Sequence, residues 1–296
     1  EQICDVTEKS KDEISKIIKE LFEDYDNNNR GIQIEFLGNK FKLTTSNYME
    51  EIKKSFYEMT ISENANEEYF QVGQKFIEEL FFLFTKYCTK FYDNKYFFDL
   101  PYIYSERRLD SVLLPALSKI CDSFVLTELP VERQKQGETS IGRVDYWCIY
   151  EGYTFVIELK QSFDAYKTTK TEQKSGPRRW RVMIGQLDSI VKDVTQFTEE
   201  TNGVIRLGLH MFTSYSSSTI DKAAKFDEEE INDIANRFCK DLAKKSKKYK
   251  PDLLLCWKIP SKIVKKGSDE YGMTYPGLWT IAKIYPPLQH KGARKN

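Results

Sequence analysis

Residues 143–161 read RVDYWCIYEGYTFVIELKQ, two apolar runs that meet at Glu151-Gly152 and carry one carboxylate each. Val144 to Tyr150 and Tyr153 to Leu159 are rich in β-branched and aromatic residues, and an acid–glycine pair between two such runs is the turn chemistry of a tight hairpin. With the loop centred on that pair, Tyr150 faces Tyr153 and, in the same register, Asp145 faces Glu158. Opposed residues on an antiparallel pair have Cβ atoms roughly 4.5–5.5 Å apart, so two acids placed there destabilise the sheet unless something neutralises them. A divalent cation is the obvious candidate.

Side chains alternate along a strand, so Lys160 shares the face of Glu158, while Val144, Tyr146, Cys148, Tyr150, Phe155, Ile157 and Leu159 form a core face. The acid face is apolar further along, at Trp147, Ile149, Thr154 and Val156, which marks central strands covered on both sides. Asp145 followed by Glu158-Leu159-Lys160 at hairpin spacing resembles the signature of the PD-(D/E)xK nucleases, the restriction-endonuclease-like superfamily.

The 296 residues hold 45 basic and 45 acidic side chains, so no global charge argues for nucleic acid and any such site must come from local clusters. Six cysteines are scattered without a C-x-x-C pair, which favours reduced, buried thiols in a cytosolic protein over disulfides or zinc. Only His210 and His290 are histidines, which removes a histidine-rich zinc site and argues against a Ser-His-Asp triad. A metal here needs oxygen ligands, which suits Mg²⁺ or Mn²⁺. No signal pattern or membrane-length apolar run occurs, and a cytoplasmic protein with no membrane partner is expected.

Taken in order, residues 5–25 show helical apolar spacing, Ile32–Phe36 and Lys40–Thr44 alternate around Gly38-Asn39 as a small hairpin, and Asn47–Met59 and Asn66–Tyr92 read as helices. Residues 1–98 are thus expected to form a mostly helical module, either a packing or oligomerisation domain or the element that holds substrate or a partner subunit. Asp99-Leu100-Pro101 breaks the pattern, so a second domain is expected over 99–288, with a basic tail over 289–296.

Ser105 is placed to cap a helix over Glu106–Ile120, with Leu109, Leu113, Leu117 and Ile120 on one stripe and Pro115 as an expected kink. Glu106 lies at its start, either as an ordinary first-turn acid or as a site residue. Phe124–Val131 reads as a strand and Glu132–Ser140 as a polar loop; Glu128 and Glu132 are acids whose facing is open.

Beyond Lys160, a basic stretch contains Lys167, Lys170, Lys174, Arg178, Arg179 and Arg181, with Ser175-Gly176-Pro177 in its middle. It is a solvated crossover or a flap that contacts phosphates. Met183, Leu187, Ile190, Val194 and Phe197 give an amphipathic helix flanked by Gln186. Strands follow at Val204–Phe212, Asp252–Ile259 and Leu278–Tyr285, and a charged helix over Asp227–Lys245 ends in lysines that face solvent or nucleic acid.

The order helix, three strands, helix, strand over about 104–215 matches the core of the superfamily that Asp145 and Glu158-Leu159-Lys160 resemble. That resemblance implies an α/β fold with a restriction-endonuclease-like mixed β-sheet flanked by helices. It also implies a metal-dependent nuclease acting on DNA in preference to RNA, with antiviral defence or restriction as a role suggested by type alone. Asp145, Glu158 and the carbonyl of Leu159 would bind Mg²⁺ or Mn²⁺, Glu106 would complete the metal shell, Lys160 would orient the attacking water, and Gln186 would position water or phosphate. A catalytically inactive nuclease fold used for nucleic-acid binding or complex assembly is the competing expectation. A structural ion cluster in an unrelated α/β protein is the third.

Overall fold

Glu151 and Gly152 both take left-handed φ angles, 46° and 73°, in the computed structural model of the chain. Positive φ at both central positions is what a two-residue hairpin turn of the right twist requires, and glycine adopts it without strain. The structure describes residues 16–17, 32–37, 40–45, 56–93, 100–135, 137–165, 175–190, 201–216, 228–260, 263 and 273–288. They fall in two units that divide between Ser55 and Phe56.

In the first unit, β1 (Ile32–Leu37) and β2 (Lys40–Thr45) pair antiparallel with Leu37 opposite Lys40, the small hairpin expected from the sequence. Residues 16–17 are helical, and the rest of the helix expected over 5–25 lies outside the described residues.

The second unit is built on a seven-stranded mixed sheet. Its strands are β3 (Phe56–Thr60), β4 (Leu126–Lys135), β5 (Glu138–Tyr150), β6 (Tyr153–Ala165), β7 (Val204–Ser216), β8 (Leu253–Lys258) and β9 (Thr274–Ile284). Their order across the sheet is β3-β8-β9-β7-β6-β5-β4. Only β6 and β7 pair in parallel, from Thr154 opposite Val204 to Ala165 opposite Tyr215, joined by the helical crossover that such a pair needs. The expected α/β class, a mixed sheet flanked by helices, is therefore observed.

Helices cover both faces. On one face lie α1 (Glu68–Asp93) and α2 (Glu106–Ile120). Phe70, Ile77, Phe81, Phe84, Cys88 and Tyr92 of α1 recur at helical spacing and are all buried. Phe76 stacks on Phe155 of β6 at 4.3 Å, and Gly73 is needed because a Cβ there would meet Ile284 at 2.9 Å. On the other face lie α3 (Ser175–Ser189) and α4 (Glu228–Lys245). Met183 and Leu187 of α3 close over Gly208, and Phe238 of α4 packs against the stacked pair Phe212 and Trp279.

Several expectations are corrected here. Residues 56–59, read as the end of a helix, form β3, an edge strand paired with β8. The division between the two units falls between Ser55 and Phe56, and the described residues 56–93 belong to the unit of the sheet. Glu132–Ser140, read as a loop, is nearly all strand: β4 and β5 continue as a two-stranded arm beyond the end of the β5–β6 ladder, turning at Gly137. Because Val131 and Val144 at its base are its buried apolar residues and the positions beyond them are half-buried or exposed, it lacks the apolar alternation that reveals a strand. Ser175-Gly176-Pro177 opens α3 and is not a loop, proline being tolerated in a first turn. Ser105 precedes α2 without a side-chain cap hydrogen bond. Val194, Phe197 and the basic tail lie outside the described residues.

Candidate functional site: an ion cluster at the opening of the hairpin

Strand pairing opens at Asp145 on both sides. The β5–β6 ladder runs from Tyr150 opposite Tyr153 to Tyr146 opposite Ile157 and stops. On the β4 side, Thr127 pairs with Tyr146 and Leu129 with Val144, but Glu128 between them, with φ 54°, pairs with nothing. The expected opposition of Asp145 and Glu158 thus falls one step past the end of the ladder. Asp145 Oδ2 instead accepts the backbone N–H of Leu159 at 2.6 Å.

Lys160 stands at the centre of the opening. Its Nζ lies 3.7 Å from Asp145, 3.8 Å from Glu106 and 3.9 Å from Glu158, and donates to the carbonyl of Leu159 at 2.6 Å. The sequence reading of Asp145, Glu158, Lys160 and Glu106 as one constellation is geometrically sound. Glu106 Oε2 also accepts the backbone N–H of Gln161 at 2.9 Å, so α2 begins where β6 leaves the hairpin.

The group that sequence reasoning missed is Arg133. From the β4 arm its Nη2 donates to Glu158 and, at 2.5 Å, to the carbonyl of Arg143. Glu158 is 1% exposed, so this pair is buried. With Lys160, Arg133 and Arg179, which lies 3.9 Å from Glu106, three cations meet three carboxylates. The charge excess for which a divalent cation seemed necessary is balanced by side chains. Gly142 makes room for this, since a Cβ there would run into Nε and Cδ of Arg133.

Of the donors that the resemblance assigns to Mg²⁺ or Mn²⁺, one oxygen of Glu158 accepts from Arg133, one of Asp145 from Leu159 N–H, one of Glu106 from Gln161 N–H, and the Leu159 carbonyl from Lys160. Among the described residues no three histidine, cysteine, aspartate or glutamate side chains are grouped to hold a metal.

Burial, reinforced by Asp145 nearby, raises the Glu158 carboxyl to about 7 against the opposing pull of Arg133 and Lys160. Burial also raises Asp145, and Lys160 counteracts it. An acid whose folded pKa is raised contributes stability that is complete below its unfolded value near 4.5 and is lost as pH rises through about 7. Glu158→Gln is therefore expected to remove roughly 3 kcal/mol of the fall in stability across that window, measured by urea unfolding as a function of pH. A residual slope of the same sign will remain from Asp164, raised to about 6, and Glu58, raised to about 7. An unchanged pH profile in Glu158→Gln would show that Glu158 ionises normally.

The remaining candidates disperse. Gln186 lies on α3 facing the arm, and its amide oxygen has no hydrogen-bond partner. Arg178 and Arg181 face the same groove, whereas Arg179 turns to the α2 side and donates to the Gln161 carbonyl at 2.5 Å. Lys167, Lys170 and Lys174 lie outside the described residues. Of the two acids held open, Glu128 borders the space beside Asp145 and Glu132 sits in the arm opposite Ile141.

Residues 1–69 match the family model of the segregation and condensation complex subunit ScpB. The match spans 69 of the 296 residues. No curated protein matches the chain. The family that the match points to is one of complex subunits, so the expected membership of the PD-(D/E)xK superfamily is overturned. With it go the Mg²⁺-dependent endonuclease activity and the defence or restriction role. Among the described residues no helix is long and apolar enough to cross a membrane.

Proposed function

We propose that this chain is a non-catalytic subunit of a DNA-associated assembly of the segregation-and-condensation kind, working in the cytoplasm. In this reading the N-terminal residues join it to partner subunits or to a second copy, and the sheet unit serves as a docking body. The match over residues 1–69 carries it. The charge-balanced cluster supports it, because Lys160 and Arg133 hold the carboxylates as an internal lock between the hairpin and α2.

Two measurements test this. Cross-linking of the full chain in its own cells, followed by mass spectrometry, is expected to recover partner subunits of a DNA-organising complex, and Ile14→Asp with Ile17→Asp, on the apolar stripe of the N-terminal segment, is expected to lose them. Purified protein with plasmid DNA and either metal is expected to leave the DNA intact. Metal-dependent cutting that disappears in Glu158→Ala would overturn the non-catalytic reading.

A further inference from the structure

The β4–β5 arm and α3 form the two walls of an open groove of about 840 Å³. Among the described residues its lining contains six basic side chains and one carboxylate, in a chain whose total charge is zero, so the excess is local. Arg133, Lys135 and Arg143 come from the arm, Arg178 and Arg181 from α3, and Lys248 from the 3₁₀ turn Lys247–Tyr249. The one acid, Asp188, is neutralised by Lys248 at 2.5 Å and accepts from Tyr285 Oη at 2.9 Å.

Not all six cations are available to a ligand. Arg133 is committed to Glu158, and Arg143 lies 3.6 Å from Glu128 in an exposed pair of little strength. Lys135, Arg178 and Arg181 pair with no carboxylate of the described residues. On α3 the groove-facing positions include 178, 181, 182, 185 and 189, which follow helical spacing, and above Gly185 a Cβ would meet nothing within 4 Å. The wall is thus low at Gly185 and positively charged at its start. A phosphate chain can lie close to such a surface.

We propose that this groove is a track for the phosphodiester backbone of duplex DNA. Arginine and lysine, together with the amides and hydroxyls of Gln134, Ser140 and Ser189 on the walls, are the groups that bind phosphate oxygens. Among the described residues no aromatic side chain lines the groove, so they offer no stacking platform of the kind that single strands use. The choice of DNA rests on the assembly reading above, whereas the place of the site rests on the charges and the shape of the groove.

The test is fluorescence anisotropy of the full chain with a labelled duplex and with one of its single strands over a series of salt concentrations. Lys135→Ala/Arg178→Ala/Arg181→Ala is compared with Lys240→Ala/Lys244→Ala/Lys245→Ala, which removes the same charge from exposed positions at the end of α4. The groove variant is expected to bind duplex on the order of a hundredfold more weakly, with its log–log salt slope reduced by about 2.7, while the α4 variant changes by less than about twofold. Unaltered duplex binding in the groove variant, equal losses in both variants, tighter binding of the single strand, or no nucleic-acid binding by the full chain would each overturn the proposal. Partner capture is read separately. Loss of partners with groove-dependent binding intact would sink the assembly reading alone, and partners retained with binding indifferent to the groove would sink this one alone.

Discussion

Arg133→Ala is expected to destabilise the folded chain by about 3 kcal/mol at ~pH 8 and by far less at ~pH 5. Glu158 is 1% exposed and Arg133 is its hydrogen-bonded partner. Deleting one member of a buried pair leaves the other charge uncompensated, at a cost of roughly 3–5 kcal/mol. The lower end applies because Lys160 remains 3.9 Å from Glu158. At low pH the orphaned carboxyl takes up a proton, as its elevation to about 7 makes easy, and the penalty shrinks. Urea unfolding of both proteins at the two pH values checks this. The same loss at both would mean that Arg133 contributes through the packing of its stem and not through its charge.

Gly142→Ala is expected to cost about 2–3 kcal/mol, although it adds a single methyl to an arm whose turn residues are exposed. The reason is steric: the new Cβ would occupy the path of Arg133 Nε and Cδ, the middle of the side chain rather than its mobile tip. The guanidinium would then be drawn off Glu158 and off the Arg143 carbonyl. If this is correct, the effects of the two substitutions are not additive. In the Arg133→Ala background, Gly142→Ala should be neutral or slightly stabilising, since alanine disfavours the unfolded chain by about 0.5 kcal/mol relative to glycine. A double-mutant cycle gives the answer, and additive losses would show that Gly142 serves the backbone of the arm and not Arg133.

The constellation around Lys160 was legible because a hairpin obeys local rules. Glu151-Gly152 fixes the turn, the turn fixes the register, and the register brings Asp145 and Glu158 to the same end. Glu106 was legible from its place at the start of an amphipathic helix. Arg133 was not, because the polar run Glu132–Lys135 that carries it shows no apolar alternation and reads like a loop; Gly137, the turn residue between two polar runs, was the available signal. Without Arg133 the charge count called for a metal. β3 was hidden for a different reason: the apolar spacing of 47–59 suits a helix, and the strand that draws 56–60 into the sheet lies about two hundred residues downstream. Gln186 was placed on the correct helix, but that it faces the β4–β5 arm was not legible, because this depends on how α3 is rotated and not on its sequence alone.

The pairing of β3 with β8 also sets a clock on biosynthesis. Phe56 lies opposite Trp257, so the edge strand has no partner until the chain has been extended by some two hundred residues beyond it. At a synthesis rate of about 5–20 residues per second, residues 1–60 spend roughly 10–40 s outside the ribosome before their tether to the sheet can close. Any partner that meets the N-terminal segment during this interval engages it before the rest of the molecule exists, and assembly can begin on the nascent chain.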